Sequence, residues 1–227
     1  RLQLRQVFLP SHLGAMAAGS IRIPASLCGV VGLKTTWGRI STAGSAPLHW
    51  SIGSVGPITS TARDAAIAYS FLAGPDTRQS CTQEQPAVDL KNFENSNLEG
   101  VKLGVFYSWF NHASEDVVNC CEEMLNSFKS QGAEVKEIEI PHLDEVRVSH
   151  AVTISTEMFT SLKTCIKPFR QPFGLDALIN LTLAKQFSGS EYVKAQRVRA
   201  RMISNLKNIF LDVDAIVTPS TACTAPP

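Results

Sequence analysis

The chain lacks any strong charge imbalance: 21 lysines and arginines stand against 20 aspartates and glutamates, a formal net charge of +1. Nothing electrostatic therefore points to nucleic acid or an acidic surface as a partner. An apolar run long enough to span a membrane is also missing, as are internal repeats and low-complexity tracts. The five histidines (His12, His49, His112, His142 and His150) show no metal-ligand spacing. Cys28, Cys81, Cys120, Cys121, Cys165 and Cys223 form no CxxC motif. No secretory signal precedes them, so reduced intracellular thiols are expected. Asn180-Leu181-Thr182 fits a glycosylation sequon, which is then not expected to be used. Charged residues make up only 18% of the 227 and hydrophobic residues 44%, which excludes a disordered chain and leaves enough apolar material for one large core. Arg1 at one end and Pro226-Pro227 at the other read as the cut ends of a piece of a larger protein.

What is present is a succession of helix and strand signals. Ser60 or Thr61, with Asp64 in the first turn, caps a helix through Ala65, Ala68, Tyr69 and Leu72 that stops at Gly74-Pro75. Residues 76–99 are polar and read as a surface loop. Val101 to Phe106 reads as a strand. Ser114 then opens a helix with Glu115 and Asp116 in its first turn, Val117, Cys121, Met124, Leu125 and Phe128 on one face, and Gly132 as its stop. Ala133 to Ile140 follows as a second strand. This βαβ unit predicts a parallel pair and an α/β layered fold.

Further on, Leu143 to Cys165 and Leu175 to Phe187 read as helices, the second within an amphipathic stretch from Phe169 whose plainer reading is core packing and whose alternatives are lining an acyl channel or dipping into a membrane surface. His150, among Val146, Val148, Ala151 and Val152, is a packed helical histidine in this reading and not a base. Ser188 to Glu191 caps a longer helix with Ala195, Val198, Met202, Leu206, Ile209 and Phe210 on one face. Lys194, Arg197, Arg199, Arg201 and Lys207 form the opposite, solvated face. Asp214 to Thr218 reads as a last buried strand.

One stretch is unlike a packing element. Gly19-Ser20-Ile21-Arg22-Ile23-Pro24-Ala25 leads into Cys28-Gly29-Val30-Val31-Gly32-Leu33-Lys34-Thr35-Thr36-Trp37-Gly38-Arg39. Glycine serves where backbone must approach something closely or take positive φ. A serine held by such backbone can present its hydroxyl beside free N–H groups, the arrangement that nucleophilic acyl transfer requires. Ser26 to Lys34, with Leu27, Val30, Val31 and Leu33, reads as a short buried helix or turn behind that serine, and residues 39–56 as loop with a short strand.

Residues 19 to 39 closely resemble the signature of the amidase signature family, in which Gly-Gly-Ser-[Ile/Val]-Arg-x-Pro-Ala leads into Cys-Gly-x-x-Gly-Leu-Lys-x-Thr-x-Gly-Arg. Leu211 to Thr221 resembles a second landmark of the family, and Lys34-Thr35-Thr36 with Thr224-Ala225-Pro226-Pro227 looks most like its plant fatty acid amide hydrolase branch. The resemblance implies a layered α/β/α fold with a mixed central sheet, incomplete in this piece. It covers residues 19–227, and residues 1–18 read as a non-matching leader, from a frame shift or a mis-drawn exon boundary.

The resemblance implies that Ser20 attacks the amide carbonyl and forms an acyl-enzyme. The backbone N–H groups of Ala17, Ala18, Gly19 and Ser20 take the oxyanion-hole positions, and Arg22 braces the loop, its usual aspartate partner replaced by Met16. The family's base, a lysine acting through a bridging serine, lies upstream of these positions; Ser11, alone before Ser20, matches neither in spacing nor in context. Ser54, in Gly53-Ser54-Val55-Gly56, lacks the leading glycine of a nucleophile elbow. Lys34 and Arg39 are assigned to holding the loop, and Cys28 to packing. No metal or cofactor is implied. The expected substrate is a fatty acid amide such as an N-acylethanolamine. The alternatives are another amidase-signature hydrolase, an amidotransferase subunit, or a catalytically silent piece without the upstream lysine and bridging serine. Peripheral contact with endoplasmic reticulum or plasma membrane and a homodimer stay open, with nucleic acid excluded.

Overall fold

The computed structural model describes residues 11–16, 18–46, 48–82, 84–91, 93, 95–166 and 173–226. They divide into two compact units. The first, Arg1–Ser45, Gly53–Ile138 and Val213–Pro227, holds the strands; the second, Ala46–Ile52 and Glu139–Asp212, is helical.

The first unit contains two three-stranded sheets, so both strand directions expected of a mixed sheet are present. One sheet is antiparallel: β1 (Ser11–Met16) and β2 (Val31–Gly32) flank β3 (Ser54–Thr59). Neither β1 nor β2 is expected from the sequence. Ser11 to Met16 has no strong alternation, and β2 is two residues long, so only their partner β3 makes them strands. Between them lies helix α1 (Arg22–Cys28). The helix expected near residues 26–34 thus starts at Arg22 and ends earlier. Pro24 falls in its first turn, where its missing N–H leaves Ser20 O without the helical bond that Gly19 O and Ile21 O on either side accept. Gly29, at φ 66°, ends it, and Val30 N–H reaches back to Ala25 O at 3.0 Å. Helix α2 (Ala62–Leu72) follows β3, capped by Thr61, which accepts from Asp64 N–H.

The other sheet is parallel, in the order β5 (Glu134–Glu137), β4 (Lys102–Val105), β6 (Ala215–Val217). A short α3 (Tyr107–Phe110) and then α4 (Glu115–Ser130) connect β4 to β5. This is the expected βαβ unit, with Val105, Phe110 and Leu125 as its buried centre. Two details depart from expectation. Met124, placed on the apolar face of α4, is 42% exposed, and β6 is half-buried. Asp214 closes this sheet's end: its carboxylate accepts from Lys102 N–H at 2.7 Å while its own N–H donates to Lys102 O at 2.8 Å.

The helical unit comprises α5 (Leu143–Ile166), α6 (Leu175–Ala184) and α7 (Gly189–Ile209), and α5 carries a buried carboxylate. Glu157, only 4% exposed, accepts from Ser51 N–H at 3.2 Å, from Tyr192 O–H at 2.9 Å and from the Ser51 hydroxyl. Arg199 donates to Ser51 O at 3.0 Å and to Ser51 Oγ at 3.2 Å. It therefore leaves the solvated basic face on which the sequence places it. Ser188 and Glu191 form the expected capping box. The amphipathic stretch does not wholly pack as expected: Leu181 and Ala184 are buried, but Leu175, Ile179 and Leu183 are exposed, and Phe169 lies outside the described residues. His150 is half-buried on α5, beside an exposed Val148. Among the described residues no helix is long and apolar enough to cross a membrane.

Candidate active site

Ser20 stands in the turn between β1 and α1 and is exposed, while Gly19 before it and Ile21 after it are buried. Helical bonding already includes this turn. Gly19 O accepts from Ile23 N–H at 2.8 Å and Ile21 O from Ala25 N–H at 3.2 Å. The serine is thus carried on fixed backbone with its side chain open to solvent.

The turn is held to the antiparallel sheet by Ile21, which has no exposed surface. One glycine from each strand makes room for it. A methyl group added at Gly14 of β1 would lie 2.9 Å from Ile21 Cγ1, and one at Gly56 of β3 would lie 3.3 Å from Ile21 Cδ1. Gly14 and Gly56 are register partners across the two strands. At Gly32 of β2 the added carbon would stand 2.8 Å from Ile21 O and 3.1 Å from Ile21 Cγ2. At Gly14 and Gly32 these contacts oppose any residue with a Cβ, and at Gly56 the added carbon would also stand 1.9 Å from Leu33 O, so the glycines are required by close approach. Ala25 and Ile58 complete the apolar cluster.

The cations of the signature stretch hold this framework. Arg22 Nη2 donates to Ala18 O at 3.4 Å, an acceptor supplied by the loop itself in place of the expected aspartate. Lys34 Nζ donates to Thr35 O at 2.7 Å and to Ser54 Oγ at 3.2 Å, and Thr35 Oγ1 donates to Val55 O at 2.9 Å. These bonds tie the residues after β2 to the start of β3. Burial, and then the nearby Arg22 charge, push the Lys34 amine below the usual lysine range. Arg39 is buried, donating from Nε to Tyr69 Oη at 2.7 Å and from Nη2 to Pro86 O at 3.4 Å. Ser54 is buried and occupied by Lys34, an unfavourable setting for a nucleophile.

Of the oxyanion-hole positions, Ala17 lies outside the described residues, Ala18 is exposed and Gly19 is buried. Ser11 stands opposite Thr59, at the end of β1 far from the serine turn. Among the described residues nothing hydrogen-bonds to Ser20 Oγ, and Lys34 is engaged elsewhere. No group of three or more His, Cys, Asp or Glu that could hold a metal ion occurs among the described residues. Sequence reasoning does not pick out Ile21 and its three glycines as a unit; their signal, glycines at 14, 32 and 56, is spread over three strands.

The chain is similar to known proteins in sequence and in fold. The amidase family profile matches residues 8–227. A fatty acid amide hydrolase of Medicago truncatula is 38% identical over 221 residues, covering 94% of this chain and 36% of that protein. One glutamyl-tRNA(Gln) amidotransferase subunit, from Prochlorococcus marinus (strain MIT 9215), is 30% identical, covering 96% of this chain and 51% of that protein. The crystal structure of the corresponding subunit from Thermotoga maritima superposes with a TM-score of 0.83 at 29% identity, over 96% of this chain and 48% of that one. The chain therefore spans about a third of the length of the plant relatives and about half of the bacterial ones. With the profile matched from residue 8 to the last, the chain belongs to the amidase family.

Proposed function

We propose that this chain carries the nucleophile of an amide hydrolase, Ser20, which attacks the substrate carbonyl and retains the acyl group as an ester. Attack moves the hydroxyl proton to a base and places negative charge on the carbonyl oxygen. Backbone N–H groups of residues 17–20 are the donors proposed for that oxyanion. Cleavage of the C–N bond releases the amine with a proton, and water then hydrolyses the ester. The observation that carries this reading is an exposed serine on a turn fixed to the sheet through its buried neighbour. The base is not assigned to any described residue.

The proposed substrate class is fatty acid amides, supported by the 38% identity to the Medicago truncatula hydrolase. The second reading is a glutamine-handling amidotransferase subunit. It is favoured by the 30% identity to the Prochlorococcus marinus protein and the superposition on the Thermotoga maritima one.

Fluorophosphonate labelling of the chain and of its Ser20→Ala variant, with the modified peptide mapped, tests the chemistry. Labelling on the peptide containing Ser20 that disappears in the variant supports it. An unlabelled but folded wild-type chain refutes it for this chain. Release of free fatty acid from an N-acylethanolamine, compared with ammonia from glutamine, separates the two substrate readings.

A further inference from the structure

We propose that Ile21 is the positioning residue for the nucleophile, locked at side chain and carbonyl by Gly14, Gly32 and Gly56; this rests on Ser20 acting as proposed above.

Ser20 and Ile21 share a peptide bond, so an ordered Ile21 narrows the range of directions in which the serine can leave the backbone. Two separate constraints meet there. The side chain is enclosed between the glycine pair 14 and 56, so closely that methyl groups added there would lie only 2.9 and 3.3 Å from it. The carbonyl oxygen is confined by Gly32, where a methyl group would come to 2.8 Å, and accepts from Ala25 N–H at 3.2 Å. A side chain held alone could still rock about its own backbone, and a carbonyl held alone could still turn. Held at both, the residue has neither freedom. The exposed Ser20 borrows its order from a neighbour that is wholly buried. Acyl transfer depends steeply on this order, since displacing a reacting group by about 1 Å lowers the rate on the order of 100-fold.

Ile58 supplies the control. It belongs to the same apolar cluster and also touches the space beside Gly14, at 3.2 Å from an added methyl, but it sits on β3 and is not bonded to the serine. A purely structural role predicts equal consequences for truncating Ile21 and Ile58. A positioning role predicts different ones.

The experiment measures fluorophosphonate inactivation of Ser20 against probe concentration, corrected for folded fraction, in the wild-type chain and in Ile21→Ala, Ile21→Val and Ile58→Ala. The maximal inactivation rate is expected to fall roughly 10- to 100-fold in Ile21→Ala, with the half-saturating concentration unchanged. Ile21→Val falls between that variant and wild type, and Ile58→Ala loses stability but keeps the wild-type rate in its folded fraction. Gly14→Ala slows labelling in the wild-type background and not in Ile21→Ala, because the nearer group it meets is gone and Ile58, at 3.2 Å, can move into the space left. If Ile21→Ala does not fold, Ile21→Val and Gly14→Ala carry the test. Equal rates for the folded fractions of the Ile21 and Ile58 variants overturn this inference alone. Failure of the wild-type chain to label at Ser20 overturns the nucleophile reading and this one with it.

Discussion

The two units solve the problem of a buried group in opposite ways. The antiparallel sheet of the first unit makes room: Gly14, Gly32 and Gly56 withdraw their own side chains so that one isoleucine can enter. The helical unit makes bonds: Ser51 and Tyr192 donate to Glu157, and Arg199 secures Ser51. An apolar group is content with space of the right shape, because its transfer from water is favourable wherever it packs. A carboxylate is not, since its lost hydration must be replaced by directed donors. The first arrangement tolerates no added atoms and the second tolerates no removed partners.

Gly56→Ala tests the first half of that contrast and carries the largest expected effect. The new carbon would start 1.9 Å from Leu33 O, a backbone atom that cannot rotate away. Separating β3 from residue 33 is expected to cost about 3 kcal/mol, with faster hydrogen exchange along β1 and β3. A stability within experimental error of wild type would show that the room is not needed. Glu157→Gln tests the second half. The shape is kept, but an N–H₂ group now meets hydroxyl and amide donors, and a loss of about 2 kcal/mol is expected in denaturant unfolding of the helical unit. A neutral or stabilising result would mean that packing alone holds residues 46–52.

Smaller effects sharpen the same comparison. Ser188→Ala removes the α7 cap bond from Glu191 N–H to Ser188 Oγ, which spans 3.3 Å. It should lower stability by about 1 kcal/mol, with exchange increased only in the first turn of the helix. The smallest effect concerns pH. Burial holds the His49 imidazole below its ordinary pKa, opposed in part by Glu157 and reinforced by His150. The unfolded chain then binds the proton more readily than the folded one. Stability from this group is complete above the usual histidine range and declines as pH falls through that range towards the lower folded value. His49→Gln should flatten this acid-side decline in melting temperature; an unchanged slope would show that His49 is not its source.

The βαβ unit is legible from sequence because its signals are local. Ser114, the apolar spacing of Val117 to Phe128, and Gly132 all lie within one helix and its ends. The cap at Thr61 and the capping box at Ser188 are readable for the same reason. Strand β1 is not, since Ser11 to Met16 becomes a strand only by pairing with residues about forty positions later. Arg199 escapes such reading because helical spacing assigns a face but does not reveal that Ser51, distant in sequence, lies across from it. At the candidate site the serine itself is legible, as is the need for glycines near it. That Gly14 and Gly56 face each other, and that Ile21 fills the space they leave, is not.

Membership in the amidase family, the candidate nucleophile at Ser20 and the helices capped by Thr61 and Ser188 are readable in the sequence alone, because each depends on residues close together in the chain. Tertiary structure alone decided how Ser20 is held. Three glycines contributed by three strands acquire a common purpose only when those strands pair, and an exposed serine is fixed only when the residue bonded to it is buried between them.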